Sequence, residues 1–502
     1  MSLRNTFAIL LLSVLCRSAR WDAAHAGHTE TVLMDAMGEN LGRAVSRDGL
    51  HAAWVRRIPD RGTVVVWDGK AGPAFEAVGA RSLLISDDGK HLSYVAFEGG
   101  RMVVVQDGKA HPPLAGLDLD SITRSADGTR IAYAARTGPT RWAVVVNGVA
   151  HGEFDGIAAD SIRFNGDHWA CAAIDGGRTF VVTDGQRGPD TLGLVRGGMV
   201  LSRDGARIAY AARVPGGQAV HVDHVAGPVF DAIADGSLVA SGDGRRLAYV
   251  GRRGTASVAV IDGKEGPALD RVAIPPTPAP SGGRFAWGGI KVGRFLMFLD
   301  AAAVGEYDGV APGSVVFSAD GQRLAFVAVA DRKQWVVLDG RDEARADGIA
   351  AGSLRFSRDG RRFAYVAKVG HRYAAVLDGE RGPEFDSVGV GDGSPAFSPD
   401  GKRFAYTARD DGDGGNLVVV DGRRCAAPAG LVTEVIRFSP DGKHVAWVAE
   451  AGQGQCVVLN ERPGPTFDGI IPGGPRFEGD DAVAYLARKD RAIVRVVQTV
   501  KD

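Results

Sequence analysis

One phrase recurs about twelve times along the 502-residue chain, and it limits the fold more than any other feature. Near the middle it reads Ser357-Arg358-Asp359-Gly360-Arg361-Arg362-Phe363-Ala364-Tyr365-Val366. Aligned on the aromatic residue, the copies fall at Trp54, Tyr94, Tyr133, Tyr210, Tyr249, Trp287, Phe326, Tyr365, Tyr406, Trp447 and Tyr485. Neighbouring copies lie roughly 40 residues apart, with one double gap between Tyr133 and Tyr210. The remaining copy fills that gap as Trp169-Ala170-Cys171-Ala172, with Cys171 in the aromatic slot.

Each copy divides into four short runs. In the copy spanning residues 349–388 the first run is 353–357, closed by Asp359-Gly360. The second, 362–368, places Phe363, Tyr365 and Ala367 on one face and Ala364 and Val366 on the other. Both faces are apolar, as in a sheet covered on both sides. The third run, 373–377, ends at Asp378-Gly379, a dipeptide that reaches positive φ at little cost and so suits a hairpin. The fourth, 382–388, carries a proline, which only an edge strand accepts readily. Its phrase returns as Gly72-Pro73-Ala74-Phe75, Gly227-Pro228-Val229-Phe230 and Gly464-Pro465-Thr466-Phe467. A fixed period of four strands per repeat defines an all-β chain folded as a β-propeller, one blade per repeat.

Two copies, Ser398-Pro399-Asp400-Gly401-Lys402 and Ser439-Pro440-Asp441-Gly442-Lys443, resemble the WD40-like (PD40) repeat of TolB-type propellers. The resemblance covers roughly residues 40–490 and implies the propeller fold. It implies no activity, because the phrase specifies a turn and a core. No α/β segment accompanies the repeats, so a TolB role in envelope assembly is not implied.

Twelve repeats exceed the four to eight blades of a usual ring. Between the sixth and seventh copies stands the most proline-dense stretch, Ile274-Pro275-Pro276-Thr277-Pro278-Ala279-Pro280-Ser281. Residues before proline are driven to extended backbone, so 274–281 reads as a stiff connector. The expectation is two six-bladed propellers in tandem, over 31–273 and 282–502. A single closed ring of twelve, or a seven-plus-five division, is the alternative. Residues 31–42 read as an orphan outer strand and 493–500 as a last strand without a successor; such offset ends close a ring by pairing.

Arg4, an apolar run over 6–15 and Ala24-His25-Ala26 together read as a signal peptide over residues 1–26. The run is too short to span a bilayer as a helix. The expected location is therefore periplasmic or secreted. Leu15 precedes Cys16 where a lipobox has a small residue, which argues against a lipid anchor. Beyond residue 30 nothing reads as transmembrane. Cys171 reads as a buried thiol acting as a small hydrophobe, and a Cys425–Cys456 bond is not favoured. The 59 basic and 60 acidic residues nearly cancel, and no basic stripe exists to meet a phosphate backbone. Nucleic acid is excluded; the expected partner is a protein, a glycan or a small molecule, and the expected state is a monomer.

Candidate chemistry is sparse. No Gly-x-Ser-x-Gly elbow occurs. His51, His91, His168 and His444 fall at the slot held by Arg246, Arg323, Arg362 and Arg403 elsewhere, so they read as turn residues. His221 and Asp223 share a strand face and form a weak metal pair. The stretch 410–415 resembles a calcium loop, but Gly422 stands where the bidentate glutamate is needed, so a hairpin loop is expected. Loops entering the innermost strands carry Asp120, Asp160 and Asp235 beside serines, a candidate site for a divalent cation or a polyol at one mouth of the first propeller. No other cofactor is expected. The favoured function is an exported, non-catalytic binding scaffold; the alternative is a metal-assisted polysaccharide lyase or hydrolase at a channel mouth.

Overall fold

Apolar runs of this length, covered on both faces and joined by Asp-Gly turns, can only stack side by side. The computed structural model describes residues 28–34, 40–79, 81–202, 204–205, 207–391, 393–412, 415–426, 431–490 and 492–500. The expected leader over 1–26, Cys16 included, lies outside the described residues. The described strands form twelve antiparallel sheets, each a blade of a twelve-bladed β-propeller. Blade nine shows the pattern. Gly348–Ile349 and Arg355–Phe356 make its interrupted inner strand, followed outward by Phe363–Val369, Arg372–Leu377 and Glu380–Phe385. Among the described residues no helix is long and apolar enough to cross a membrane.

The core lies between blades. Phe363, Tyr365 and Ala367 pack on Ala325, Val327 and Val336 of blade eight, while Ala364 and Val366 pack on Phe404 and Tyr406 of blade ten. Every residue of the aromatic slot is buried, Cys171 with the rest. Burial pushes the Cys171 thiol up to about 12 and makes it a packing group. The phenylalanine of the outer-strand phrase reaches across to the next slot. Phe385 meets Tyr406 edge-on with centroids 6.2 Å apart, and Phe75–Tyr94, Phe230–Tyr249 and Phe467–Tyr485 repeat that geometry.

Polar groups of the repeated phrase complete the blade. Ser357 Oγ donates to Asp359 Oδ1 at 2.6 Å and accepts from the Arg362 amide at 2.9 Å. Asp359 also accepts from the Arg361 amide at 3.1 Å. These bonds hold its carboxyl below the usual range, the serine hydroxyl contributing most. Arg362 Nε then donates to Asp378 Oδ2 at 2.8 Å, and Asp378 Oδ1 accepts from the Phe363 amide at 2.8 Å. Arg362 Nη1 donates to the Lys402 carbonyl of blade ten at 3.0 Å, with its guanidinium 5.8 Å over Phe397. Arg323 and Arg403 make the same set of contacts. Histidine substitutes at the expected slot: His51, His91 and His168 bond Asp68, Asp107 and Asp184 at 2.7, 2.9 and 2.6 Å.

The ends of the chain meet. His28–Met34 pairs antiparallel with Ala492–Thr499 as the outer strand of blade twelve. Trp54 and Val64 of blade one pack on Leu486 and Ile493 of blade twelve, and Arg476 donates to the Asp48 carbonyl at 3.3 Å. Blade six continues into blade seven in the same way. Ala259 packs on Leu269, Trp287 and Phe298, and Arg246 donates to the Gly283 carbonyl at 2.6 Å and to Asp300 at 3.0 Å.

The connector expected at 274–281 is thus corrected: Arg271–Pro278 is the inner strand of blade seven, paired with Phe285–Lys291. Its pairing jumps from Ile274↔Gly288 to Thr277↔Ala286, so Pro275 and Pro276 fall in the irregularity, where no ladder bond is required of them.

Separately expressed residues 28–270 and 271–500 would each expose two apolar blade faces, so they are expected to associate. Light scattering on each half checks this; two folded, monomeric halves would support the division at 274–281. A second expectation concerns acid. Asp88 is lowered to about 2, first by the Ser86 hydroxyl, and Asp127, Asp243, Asp320, Asp359 and Asp400 are lowered by the same contact. A carboxyl depressed in the folded state stabilises above its unfolded value and loses that contribution as protons return. The thermal midpoint should hold from neutral pH to about pH 4 and fall between about pH 4 and pH 2, measured by circular dichroism.

Candidate functional site

The turns that feed the inner strands carry the residues expected from sequence. Asp120 lies in the single turn Leu119–Ser121 of blade three, Asp160 precedes Arg163–Asn165 of blade four, and Asp235 precedes Val239–Ala240 of blade six. All three are exposed. Among the described residues no group of three or more His, Cys, Asp and Glu side chains is placed to hold a metal ion. The adjacent serines face their own blade. Ser237 Oγ donates to the Ala234 carbonyl at 2.7 Å and accepts from the Val250 amide at 3.1 Å; Ser121 and Ser161 serve Ala134 and Ala172 alike.

His221 and Asp223 are not brought together as ligands. His221 is buried with its ring stacked on Tyr210 at 4.9 Å, and burial lowers its pKa. Asp223 stands in the hairpin beyond the strand and accepts from Arg207 Nε at 2.8 Å and the Ile208 amide at 3.0 Å. Asp410, the first residue of the calcium-like stretch, is buried against Arg372 and Arg424. Residues 413 and 414 of that stretch lie outside the described residues.

A different arrangement stands out on the inner strands of blades nine, ten and eleven. A pocket of about 560 Å³ is lined there by Arg355, Arg358 and Arg437, by Phe356, Phe397 and Phe438, and by small residues of blade ten such as Gly393 and Ala396. Its volume falls in the range of small-molecule sites. Blade ten contributes the small residues of the hollow: Pro395 and Ala396 stand where blade nine carries Leu354 and Arg355. Gly393 is required: its carbonyl accepts from the Ile436 amide of blade eleven, and a Cβ there would lie 2.8 Å from that nitrogen.

The arginines differ in their anchoring. Arg355 donates from Nη1 to the Gly352 carbonyl at 2.6 Å and from Nη2 to the Gly391 carbonyl at 3.2 Å, which fixes it across the gap between blades nine and ten. Arg437 Nη1 donates to the Ile436 carbonyl at 3.4 Å. Arg358 is exposed at the rim and makes no hydrogen bond or ion pair among the described residues. The Ser398 hydroxyl is engaged with Asp400 and the Arg403 amide. No carboxylate lines the pocket among the described residues. The arrangement is a positively charged recess with an apolar wall.

Sequence reasoning missed this site although a signal existed. At the inner-strand position paired with the residue before the aromatic slot, most copies carry a neutral residue such as Leu84, Val200, Val239 or Val316, whereas blades four, nine, eleven and twelve carry Arg163, Arg355, Arg437 and Arg476. What sets blades nine to eleven apart is that two such arginines flank a blade whose own residue at this position is Ala396.

No family model matches the sequence, and no curated protein matches it. Solved structures similar to this chain include a eukaryotic initiation factor, at 11% identity over 87% of this chain and 89% of that one, with a TM-score of 0.31. TolB from Acinetobacter baumannii is similar at 14% identity over 58% and 77%, with a TM-score of 0.23. The β-propeller domain of the Trilobed protease from Pyrococcus furiosus is similar at 12% identity over 54% and 95%, with a TM-score of 0.25.

If the entry serines are structural, removing one costs stability. Ser237→Ala is expected to lose about 1–3 kcal/mol by leaving the Val250 amide without its acceptor, read from urea unfolding. An unchanged midpoint would return those serines to the candidate ligand groups.

Proposed function

We propose that this chain is an exported, non-catalytic binding protein, a propeller scaffold that holds a small ligand at the pocket of blades nine to eleven. One observation carries the reading: a pocket of small-molecule size, lined by Arg355, Arg358 and Arg437 and by Phe356, Phe397 and Phe438, opens between the inner strands of blades nine to eleven. Elsewhere the repeated serines, aspartates, arginines and histidines are engaged in turns and blade contacts. Groups engaged in that way are poorly placed for proton transfer or nucleophilic attack. The leader-like residues 1–26 support export to the periplasm or medium.

The test has two parts. Protein recovered from the exported fraction is expected to begin near Gly27, read by intact mass. Ala396→Phe, which fills the pocket, is expected to lose the small molecules that the wild type retains from a mixed library under equilibrium dialysis. Equal retention by both proteins would remove the pocket from the reading. Release of sugar products from polysaccharides in the presence of divalent metal would replace it with the enzyme alternative.

A further inference from the structure

We propose that the ring has a built-in clasp: the interface between blade twelve and blade one opens while the interfaces on the pocket side stay shut. The side chain that joins one blade to the next is unevenly distributed around the circle, and so is the apolar surface beneath it.

That side chain stands three residues before the aromatic slot. In blades six to ten it is Arg246, Arg284, Arg323, Arg362 and Arg403, and each donates to a backbone carbonyl of the following blade. Blades eleven, one and two carry His444, His51 and His91 there. Each histidine commits Nδ1 to the hairpin residue of its own blade, Asn460, Asp68 or Asp107, which leaves one ring nitrogen where arginine has further N–H donors. Blade twelve carries Ala482, whose side chain donates nothing. The topology explains the alanine. Blade twelve takes its outer strand from His28–Met34, so no hairpin joins its third strand to its fourth. In blade nine that hairpin holds Asp378, the carboxylate that orients Arg362. Closing the ring with the other end of the chain therefore removes the acceptor that a joining arginine needs.

Packing at this interface does not make up the difference. Six buried apolar residues form the cluster between blades twelve and one, against eleven between blades one and two. Comparably small clusters are each accompanied by a short polar bridge: Arg124 between blades two and three at 2.7 Å, Asn165 between four and five at 2.6 Å, and Arg246 between six and seven at 2.6 Å. Between twelve and one, Arg476 Nε reaches the Asp48 carbonyl at 3.3 Å, longer than the usual range. In a circle of repeats, opening starts at the least stable interface. The blades that line the pocket are joined by Arg362 and Arg403, so the pocket keeps its shape while the clasp gives a side entrance to the central channel.

Thiol labelling of the full-length mature protein under native conditions tests this with two matched pairs of single cysteines. Leu486→Cys and Val366→Cys stand one residue past the slot and face the following blade, at the clasp and at the joint of blades nine and ten. Val64→Cys and Leu417→Cys stand at one position of the third strand and face the preceding blade, again at the clasp and at that joint. The larger side chain is lost at the clasp in the first pair and at the joint in the second, so cavity size cannot produce one order in both. The buried native thiols, Cys171 between blades three and four and Cys425 and Cys456 between ten and eleven, serve as internal references. Both clasp thiols should label at least about tenfold faster than their matched partners and the native thiols, the effect of one charge-assisted hydrogen bond on an opening equilibrium, with circular dichroism unchanged. Equal rates within both pairs would overturn the clasp. Faster labelling of Leu486→Cys alone would reduce it to a cavity effect and overturn it as well. Labelling of all four as fast as each other and faster than the native thiols would show several openings and no single clasp.

Discussion

The contact on which much of the ring depends is the arginine that joins one blade to the next, as Arg130, Arg246, Arg284, Arg323, Arg362 and Arg403 do. An exposed ion pair contributes little, about 0–1 kcal/mol. Arg362 does more than pair with Asp378. It orients the carboxylate that accepts from the Phe363 amide, donates to a blade-ten carbonyl, and lies over Phe397. One side chain thereby ties the hairpin of its own blade, the turn of the next and an aromatic ring of the inner strand. Where histidine replaces it, the aspartate contact survives and the ring packs on the following turn: a Cβ at Gly89 would lie 1.8 Å from the His51 ring. Gly89 therefore serves both its own positive φ of 70° and the histidine of the blade before it.

Those joints act together with a core that belongs to no single blade. Tyr365 faces one neighbour and Val366 the other, so a blade alone would leave both apolar surfaces in water. In such an array stability is close to a sum of nearest-neighbour interfaces, and open ends are its weak points. Pairing of His28–Met34 with Ala492–Thr499, and packing of Trp54 on Leu486 and Ile493, remove the ends. Closure is thus a packing requirement as much as a topological one. The smaller Cys171 is tolerated because Trp169 and Phe180 fill the same layer.

The strands, turns and slots were readable because each is set by residues that recur at one period: Asp378-Gly379 for a hairpin, Tyr365 for a core, Phe385 for the next blade's edge. The number of blades in the circle was not readable. It depends on the angle each interface adopts, and no residue announces that angle. Composition also misled at 274–281. Proline was taken as a sign of a connector because it cannot donate to a ladder, yet an inner strand has a ladder on one side only, and Pro275 and Pro276 occupy the break in it. Asp120, Asp160 and Asp235 drew attention as charges in corresponding loops. Their serine neighbours, by contrast, proved to be hydrogen-bonded into the blades they precede.

The same logic separates architecture from function in this chain. A residue that recurs with the period serves the period, as the Asp-Gly turns and the arginine or histidine joints do. Residues that break the period without repairing it call for another cause. Arginine enters the inner strand of four blades, at Arg163, Arg355, Arg437 and Arg476, and only between blades nine and eleven do two of them flank a strand that carries Pro395 and Ala396. Either change alone is unremarkable, since an arginine on a channel wall can be solvated and a small residue can be filler. Together they put donors around a cleared recess with a phenylalanine wall. Charge brought into a recess beside apolar groups is costly unless a counter-charge accompanies it. Arg355 offsets part of that cost by donating to the Gly352 and Gly391 carbonyls, which ties the recess to blades nine and ten.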